Sequence, residues 1–412
     1  VYTPATSVIP SGSESEMTTS RRRRPNSSPA AALEDDDLLA EILLRLPPHP
    51  SSLPRASLAC RRWRDLVRDA GFLRRFRAHH HSRGTPPIIG FFTEGDSGIS
   101  FVPTLDPPNR VPPERFPLQI TGRADNCRIV CCRDGLALLV NVHPGQALVW
   151  DPVTGDQRRL PLPLAFRNMN KIYNGMVLRS AAVGDSDHFG FQVVLVRCMK
   201  VPNGRAIACV YSSDIGAWGD IIQTSTPLLR TLSMVKSGAL VGRSLYWSLY
   251  GKSTAILEFD LDTQNLAVIP LHLDGWVSPG KRRKDGWIMS TEGGGLGLVS
   301  VLGHGAELWK RETDSYGVAT WLLTKTIHLD KLLPLSSGDR LTVDFAEEHN
   351  MLILGTIDGI GIFTVHIETM QCKKLPVNFQ KLPGVFQPFS SVYTAEMVVG
   401  AEHAGAELLR NR

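Results

Sequence analysis

Apolar residues follow two different periods along this chain, and the change falls near Pro86. Upstream, Leu38, Leu39, Ile42, Leu43 and Leu46 recur at i, i+1, i+4, i+5 and i+8, one stripe of an α-helix. Asp35, Asp36 and Asp37 place carboxylates where the positive end of the helix dipole favours them. Glu41 and Arg45, four apart, can pair on the opposite face. Pro47-Pro48 ends this helix, because proline lacks the amide and disfavours the helical conformation in the residue before it. Ser51, Ser52 and Pro54 start a second helix, continued by Leu53, Ala56, Cys60, Trp63 and Val67 at spacings of 3, 4, 3 and 4. Helical structure is thus expected over 35–77. Beyond Pro86 this spacing vanishes, and short apolar runs alternate with Gly, Pro, Asp and Asn clusters, an all-β signature.

One β unit recurs. ALVWDPVTGDQRRLPL (147–162) reads strand, turn, strand, with Pro152 presetting a turn and Gly155 free to take positive φ. Residues 209–221, 256–271, 306–323 and 361–376 repeat the arrangement. Aligned on Thr154, Ile215, Thr263, Thr313 and Thr369, the units stand 61, 48, 50 and 56 residues apart. A glycine-containing strand precedes each unit. A period near 50 with several short strands matches a four-stranded propeller blade, and 86–400 is long enough for about six. A β-sandwich would need no repeat. Residues 86–120 are poorly marked and are assigned to the first blade. Trp150, Tyr211, Phe259, Trp309 and Phe363 are the expected blade core.

Composition and charge narrow the partners. The chain has 412 residues, 42% hydrophobic and 21% charged, ordinary for a globular protein. Residues 1–32 are rich in Ser, Thr, Pro, Ala and Arg, lack apolar periodicity, and are expected to be disordered. Of the net charge of +5, all resides in 1–85, which hold 14 Arg against 9 acidic residues; the rest balances 31 against 31. The β region is therefore not expected to bind nucleic acid. No apolar run approaches the roughly 20 residues that span a bilayer, so no membrane partner is expected. With no signal-peptide segment and an odd count of seven cysteines, the expected setting is cytoplasm and/or nucleus, with reduced thiols.

The helical pattern resembles the F-box. Leu38-Leu39, Glu41-Ile42-Leu43, Arg45-Leu46-Pro47, Ser52-Leu53, Arg55-Ala56, Cys60, Trp63-Arg64 and Leu66 carry the resemblance, in order. The family often begins with Leu-Pro before this helix, where Glu34-Asp35 stands here. CRDGLALLV followed by LVWDPVTGDQRRLPLP, and then VYSSDIGAWGD, resemble the propeller-type, kelch-like region that follows the F-box in many plant proteins. The resemblance implies a small all-α F-box helical domain (33–80) followed by an all-β propeller of about six blades (86–400). It further implies binding of a Skp-type adaptor, and through it cullin, with the propeller holding a target protein that the sequence does not identify. Leu38, Leu39, Ile42, Leu43, Leu46, Pro47, Leu53, Cys60 and Trp63 are the expected adaptor contacts. An apolar stripe on a segment too small to bury it independently points the same way.

Other motifs weigh less. GDSG (95–98) lacks the glycine a protease nucleophile loop needs at Ile99 and reads as a hairpin turn. His79-His80-His81 reads as linker, because adjacent side chains do not converge on a metal. Cys127, Cys131 and Cys132 lack a second ligand pair at zinc spacing and read as buried small residues. GGGLGLVS reads as strand entry, and Lys281 to Lys284 as a solvated loop. No catalytic, cofactor or metal residues are assigned. Three functions compete: a non-catalytic substrate receptor of a Skp–cullin–F-box ubiquitin ligase, a propeller-based hydrolase, and an adaptor-binding scaffold outside a ligase.

Overall fold

The structure is a computed structural model. It describes residues 35–84, 86–95, 98–118, 127–141, 145–167, 173–180, 190–199, 204–226, 229–232, 238–251, 254–271, 285–335, 341–356, 361–376 and 386–394. The described chain divides into two compact units, one ending at Arg45 and one beginning at Leu46.

The first unit contributes helix α1 (Asp36–Leu44), and the second opens with α2 (Ser52–Ala56), α3 (Arg61–Arg68) and α4 (Ala70–Arg83). Asp35 caps α1, its Oδ1 accepting from Asp37 N at 2.9 Å and Leu38 N at 3.2 Å. The single second helix read from the spacing of Leu53, Ala56, Cys60, Trp63 and Val67 is broken. Turn residues 57–60 separate α2 from α3, and the main-chain bonds Leu58 N to Arg55 O and Ala59 N to Ala56 O are the short-range kind that closes a helix. Helix also continues further than expected, to Arg83. Asp69 Oδ2 accepts from Phe72 N at 2.7 Å and starts α4, which buries Phe72, Leu73 and Phe76. The three histidines therefore do not form a linker. They occupy the last turns of α4, where His80 packs edge-on against Phe76 at 4.5 Å.

Among the described residues, twenty-five strands form six sheets. Blade 1 joins β1 (Ile88–Gly95) and β2 (Gly98–Pro103) to β25 (Phe386–Ser390), in the order β2-β1-β25. Blade 2 is β3 (Cys127–Arg133), β4 (Leu136–Asn141), β5 (Gln146–Trp150) and β6 (Gln157–Pro161). Blade 3 is β7 (Tyr173–Arg179), β8 (Phe191–Met199) and β9 (Arg205–Ser212), with β10 (Ala217–Trp218) and β11 (Ile222–Ser225) both on β9. In blade 4, β12 (Leu229–Leu232) and β13 (Ala239–Val241) share the inner edge of β14 (Ser244–Gly251), followed by β15 (Thr254–Asp260) and β16 (Leu266–Pro270). Blade 5 is β17 (Asp285–Ser290), β18 (Leu296–Leu302), β19 (Gly305–Thr313) and β20 (Ala319–His328). Blade 6 is β21 (Leu341–Ala346), β22 (Met351–Thr356), β23 (Ile362–His366) and β24 (Cys372–Leu375). All pairings are antiparallel, and the innermost strands adjoin around the axis, β25 beside β3, β3 beside β7 and β13 beside β17.

The core lies in the seams between blades. Middle strands such as β4 are buried on both faces and read as continuous apolar runs, whereas outer strands such as β24 are exposed. A cluster around Phe92, Phe101, Phe116, Trp150 and Phe389 joins blades 1 and 2. Phe91, Ala346, Ile353, Ile362 and Leu375 join blades 6 and 1, which closes the ring.

The recurring sequence unit is the outer hairpin of blades 2 to 6. In blades 2 and 4 its turn has a shared cause: Asp151 Oδ1 accepts from Val153 N and Thr154 N, and Asp260 Oδ1 accepts from Asp262 N and Thr263 N; in blade 6 His366 Nδ1 accepts from Glu368 N and Thr369 N instead. The following residue takes positive φ at Gly155, Gly216, Gln264, Gly317 and Met370. These positions stand 61, 48, 53 and 53 apart. The alignment on Thr313 is corrected to Tyr316, because β19 runs on to Thr313 and its turn begins only at Asp314, which accepts from Tyr316 N and Val318 N.

Candidate functional site

Two surfaces carry the chemistry. On α1 the sequence stripe divides into two edges. Leu39 and Leu43 are buried, while Leu38 and Ile42, also four apart, are 49% and 39% exposed. Glu41 and Arg45 form the expected exposed pair at 3.6 Å, worth little in water. In the second unit Leu53 is buried, Leu46 and Trp63 are half-buried, and Pro47 and Cys60 are exposed. Leu58, which lies off the helical period because it sits in the turn after α2, is 76% exposed. The expected contacts are therefore not equivalent: Leu38, Ile42, Pro47 and Cys60 can be touched, whereas Leu39, Leu43 and Leu53 support the helices.

The second surface is the mouth of the ring, where the innermost strands end beneath α4. The Asp134-Gly135 hairpin turn, with φ of 51° and 73°, carries the tip of blade 2 up to the helix. A Cβ on Gly135 would lie 3.1 Å from Ser391 Oγ and 3.6 Å from His81 Nε2, so glycine permits this approach. Arg179 donates through Nε to Asp134 O at 3.1 Å and pairs with Asp151 at 3.3 Å. Burial lowers the Arg77 guanidinium, and Asp151 opposes that shift. Burial also lowers His81, whose Nδ1 donates to Arg77 O at 2.8 Å. From the other side, His349 Nε2 donates to Pro86 O at 2.9 Å and ties blade 6 to the chain leaving α4.

Between them lies a cleft of about 510 Å³, bordered by His81, Arg83, Arg133, Asp134, Glu347 and Glu348. Arg133 Nη1 meets Glu347 at 2.6 Å, and its Nε stands 3.8 Å from Glu348. Burial pulls the Arg133 guanidinium down, but Glu347, Glu348 and Asp134 outweigh it and raise it. One cation thus faces three acids. Burial pushes the Glu348 carboxyl up to about 7, against the pull of Arg133 and with Asp134 and Glu347 adding to the rise. The sequence showed Arg133 and Asp134 only as part of CRDGLALLV and did not mark Glu347 or Glu348, since Arg133 and Glu347 are 214 positions apart.

The remaining motifs settle as structure where they are described. Gly95 and Gly98 face each other at the β1–β2 hairpin, with Asp96 and Ser97 outside the described residues. Cys127, Cys131 and Cys132 lie on β3, and burial pushes Cys127 up to about 11 and Cys131 to about 12, away from thiolate. Lys281 to Lys284 lie outside the described residues. Among the described residues no helix is long and apolar enough to cross a membrane.

Comparison with known proteins agrees with both regions. Residues 35–75 match the F-box domain. The F-box/kelch-repeat protein At1g15680 of Arabidopsis thaliana is 26% identical over 317 residues, covering 71% of this chain and 72% of that one. The F-box protein At3g16210 of the same plant is 24% identical over 245 residues, covering 57% and 59%. The solved Dos1 propeller covers 63% of this chain and 60% of its own at 12% identity, with a TM-score of 0.33, too distant to add to the fold. Residues 128–378, more than half the chain, match the description "F-box protein AT5G49610-like, beta-propeller", and the protein belongs to that family.

Proposed function

We propose that this protein is the substrate-recognition subunit of a Skp–cullin–F-box ubiquitin ligase. Its helices bind the Skp-type adaptor, cullin joins through the adaptor, and the ring binds the target protein. This chain makes and breaks no bond, and ligation belongs to its partners. The reading rests on one observation above the others: within a segment matched as an F-box, Leu38 and Ile42 are exposed along the edge of the α1 stripe beside its buried Leu39 and Leu43. Apolar side chains left over after folding mark a partner surface. Leu38, Ile42, Pro47 and Cys60 are the proposed direct contacts, joined by Leu58. Leu39, Leu43, Leu46, Leu53 and Trp63 hold the helices that present them.

Burying two such side chains contributes about 3 kcal/mol together, or ~100-fold in affinity. The test is adaptor and cullin capture by the full chain against Leu38→Asp/Ile42→Asp. Loss of both partners with an unchanged circular dichroism spectrum is expected, and equal recovery overturns the proposal. Adaptor capture without cullin would place the chain outside a ligase. This double variant is a better control than deleting 33–77, because α4 is seated on the ring. With the proteasome blocked, the target should co-purify with both forms; with it active, the target should accumulate only in cells carrying the variant. Turnover of ester, glycoside or phosphate reporters by the purified chain would contradict a non-catalytic role.

A further inference from the structure

The outer strands of the six blades end their sheets in different ways. An outermost strand leaves a row of N–H and C=O groups without a neighbour, and these template pairing with another chain unless charge, proline or interruption blunts them. β6 carries exposed Arg158 and Arg159, and β24 carries exposed Lys373 and Lys374. β2 ends in Pro103 and β16 in Pro270. In blade 3 the edge is divided between β10 and β11, of two and four residues. β20 has ten residues, no proline and a single bulge at Thr324. Among the described residues it pairs with β19 alone. Leu322 and Leu323 are 47% and 50% exposed at its centre. Its one Lys or Arg is Lys325, whose Nζ already donates to Ile367 O at 3.1 Å.

We propose that two copies of this chain meet at that edge, β20 against β20, antiparallel across a two-fold axis near Leu322 and Leu323. Charge decides the occupant. With the axis at or between those leucines, Lys325 falls opposite Ala319, Thr320 or Trp321, none of them charged. The same self-pairing at β6 sets Arg158 and Arg159 against their own copies, and at β24 it does so with Lys373 and Lys374. Like charges directly opposite one another destabilise a strand pair. A two-fold contact uses one self-complementary patch, the commonest form of oligomer. The paired edges satisfy their open main-chain groups, and the central leucines leave water against their counterparts. The dimer carries two rings and two sets of adaptor-binding helices, so a target with two recognition segments binds with avidity.

Sedimentation velocity on the full chain over a concentration series tests this. A concentration-dependent shift to twice the chain mass is expected. Leu322→Lys/Leu323→Lys should weaken self-association by about tenfold or more, with its thermal midpoint unchanged. Thr320→Lys, a milder change on the same edge, should weaken it as well, while Arg158→Glu on β6 should not. Amide exchange gives a reading that needs no variant. Protection across Ala319–His328 should rise as wild-type chain is concentrated, and protection across Gln157–Pro161 should not. A wild-type chain that stays monomeric at every concentration overturns the proposal. So does a dimer that survives both β20 variants, or β20 protection that depends on an added target and not on chain concentration.

Discussion

On α1 and in the turn after α2, Leu38, Ile42 and Leu58 stand in water, while in the ring Trp150, Trp247, Phe259 and Phe389 are fully buried. The difference follows from architecture. Each blade has a neighbour on both faces, so the apolar side chains of its inner and middle strands find partners within the ring, and those left exposed, such as Ile215, Tyr316 and Leu322, lie on outer turns and edges. A helix presents side chains all round, and a short helical segment has too few layers to cover them. Burial in the ring's inner strands therefore reports self-sufficiency, whereas exposure in the helices leaves an apolar surface open to a partner.

The contrast breaks first at the closing strand. Phe389→Ala removes a ring 5.1 Å from Phe92 and 5.9 Å from Phe116, and should cost about 3–5 kcal/mol in denaturant unfolding. A cost below 1 kcal/mol, roughly the value for an exposed site, would show that β25 does not close the ring. Glu348 gives the next largest effect. Its carboxyl titrates near 7 when folded, above its ordinary 4.5, so the folded chain holds the proton more tightly than the unfolded one. That stabilisation is fully present below pH 4.5 and is lost as pH rises towards 7. Glu348→Gln should therefore gain up to about 3 kcal/mol over wild type at pH 8 and about nothing at pH 4, measured by urea unfolding at both values. An advantage independent of pH would contradict the buried-acid account.

Smaller effects sharpen the comparison. Gln264 and Met370 hold φ of 50° and 60° in turns where blades 2, 3 and 5 use glycine. Gln264→Gly and Met370→Gly should each stabilise by about 0.5 kcal/mol, relief of the left-handed conformation outweighing the entropy glycine adds to the unfolded chain. In contrast to Phe389, the Leu38→Asp/Ile42→Asp variant should unfold within about 1 kcal/mol of wild type, because 49% of Leu38 and 39% of Ile42 already face solvent. A large loss there would make those residues core.

Local chemistry made much of this legible in sequence. Leucines spaced for a helix, a proline pair to end it, and an Asp or Gly at the outer turns of blades 2 to 5 act over a few residues, so they can be read along the chain. The same reading failed where local signals were degenerate. The spacing of Ala56, Cys60 and Trp63 suits a continuous helix, yet the chain turns at 57–60. His79 to His81 resemble a linker, yet they ride on the helix that Phe72 and Phe76 anchor.

What remained for tertiary structure involves distance along the chain. β1 finds β25 through pairs such as Phe91 with Pro388, and no local period announces a partner nearly 300 residues away. Arg133 meets Glu347 only because inner strands of blades 2 and 6 end at the same mouth. The stripe on α1 announced an amphipathic helix, but which leucines face water was decided only in the folded chain. Periodicity fixes the direction in which a side chain points, and only the folded chain determines whether another surface lies there to cover it.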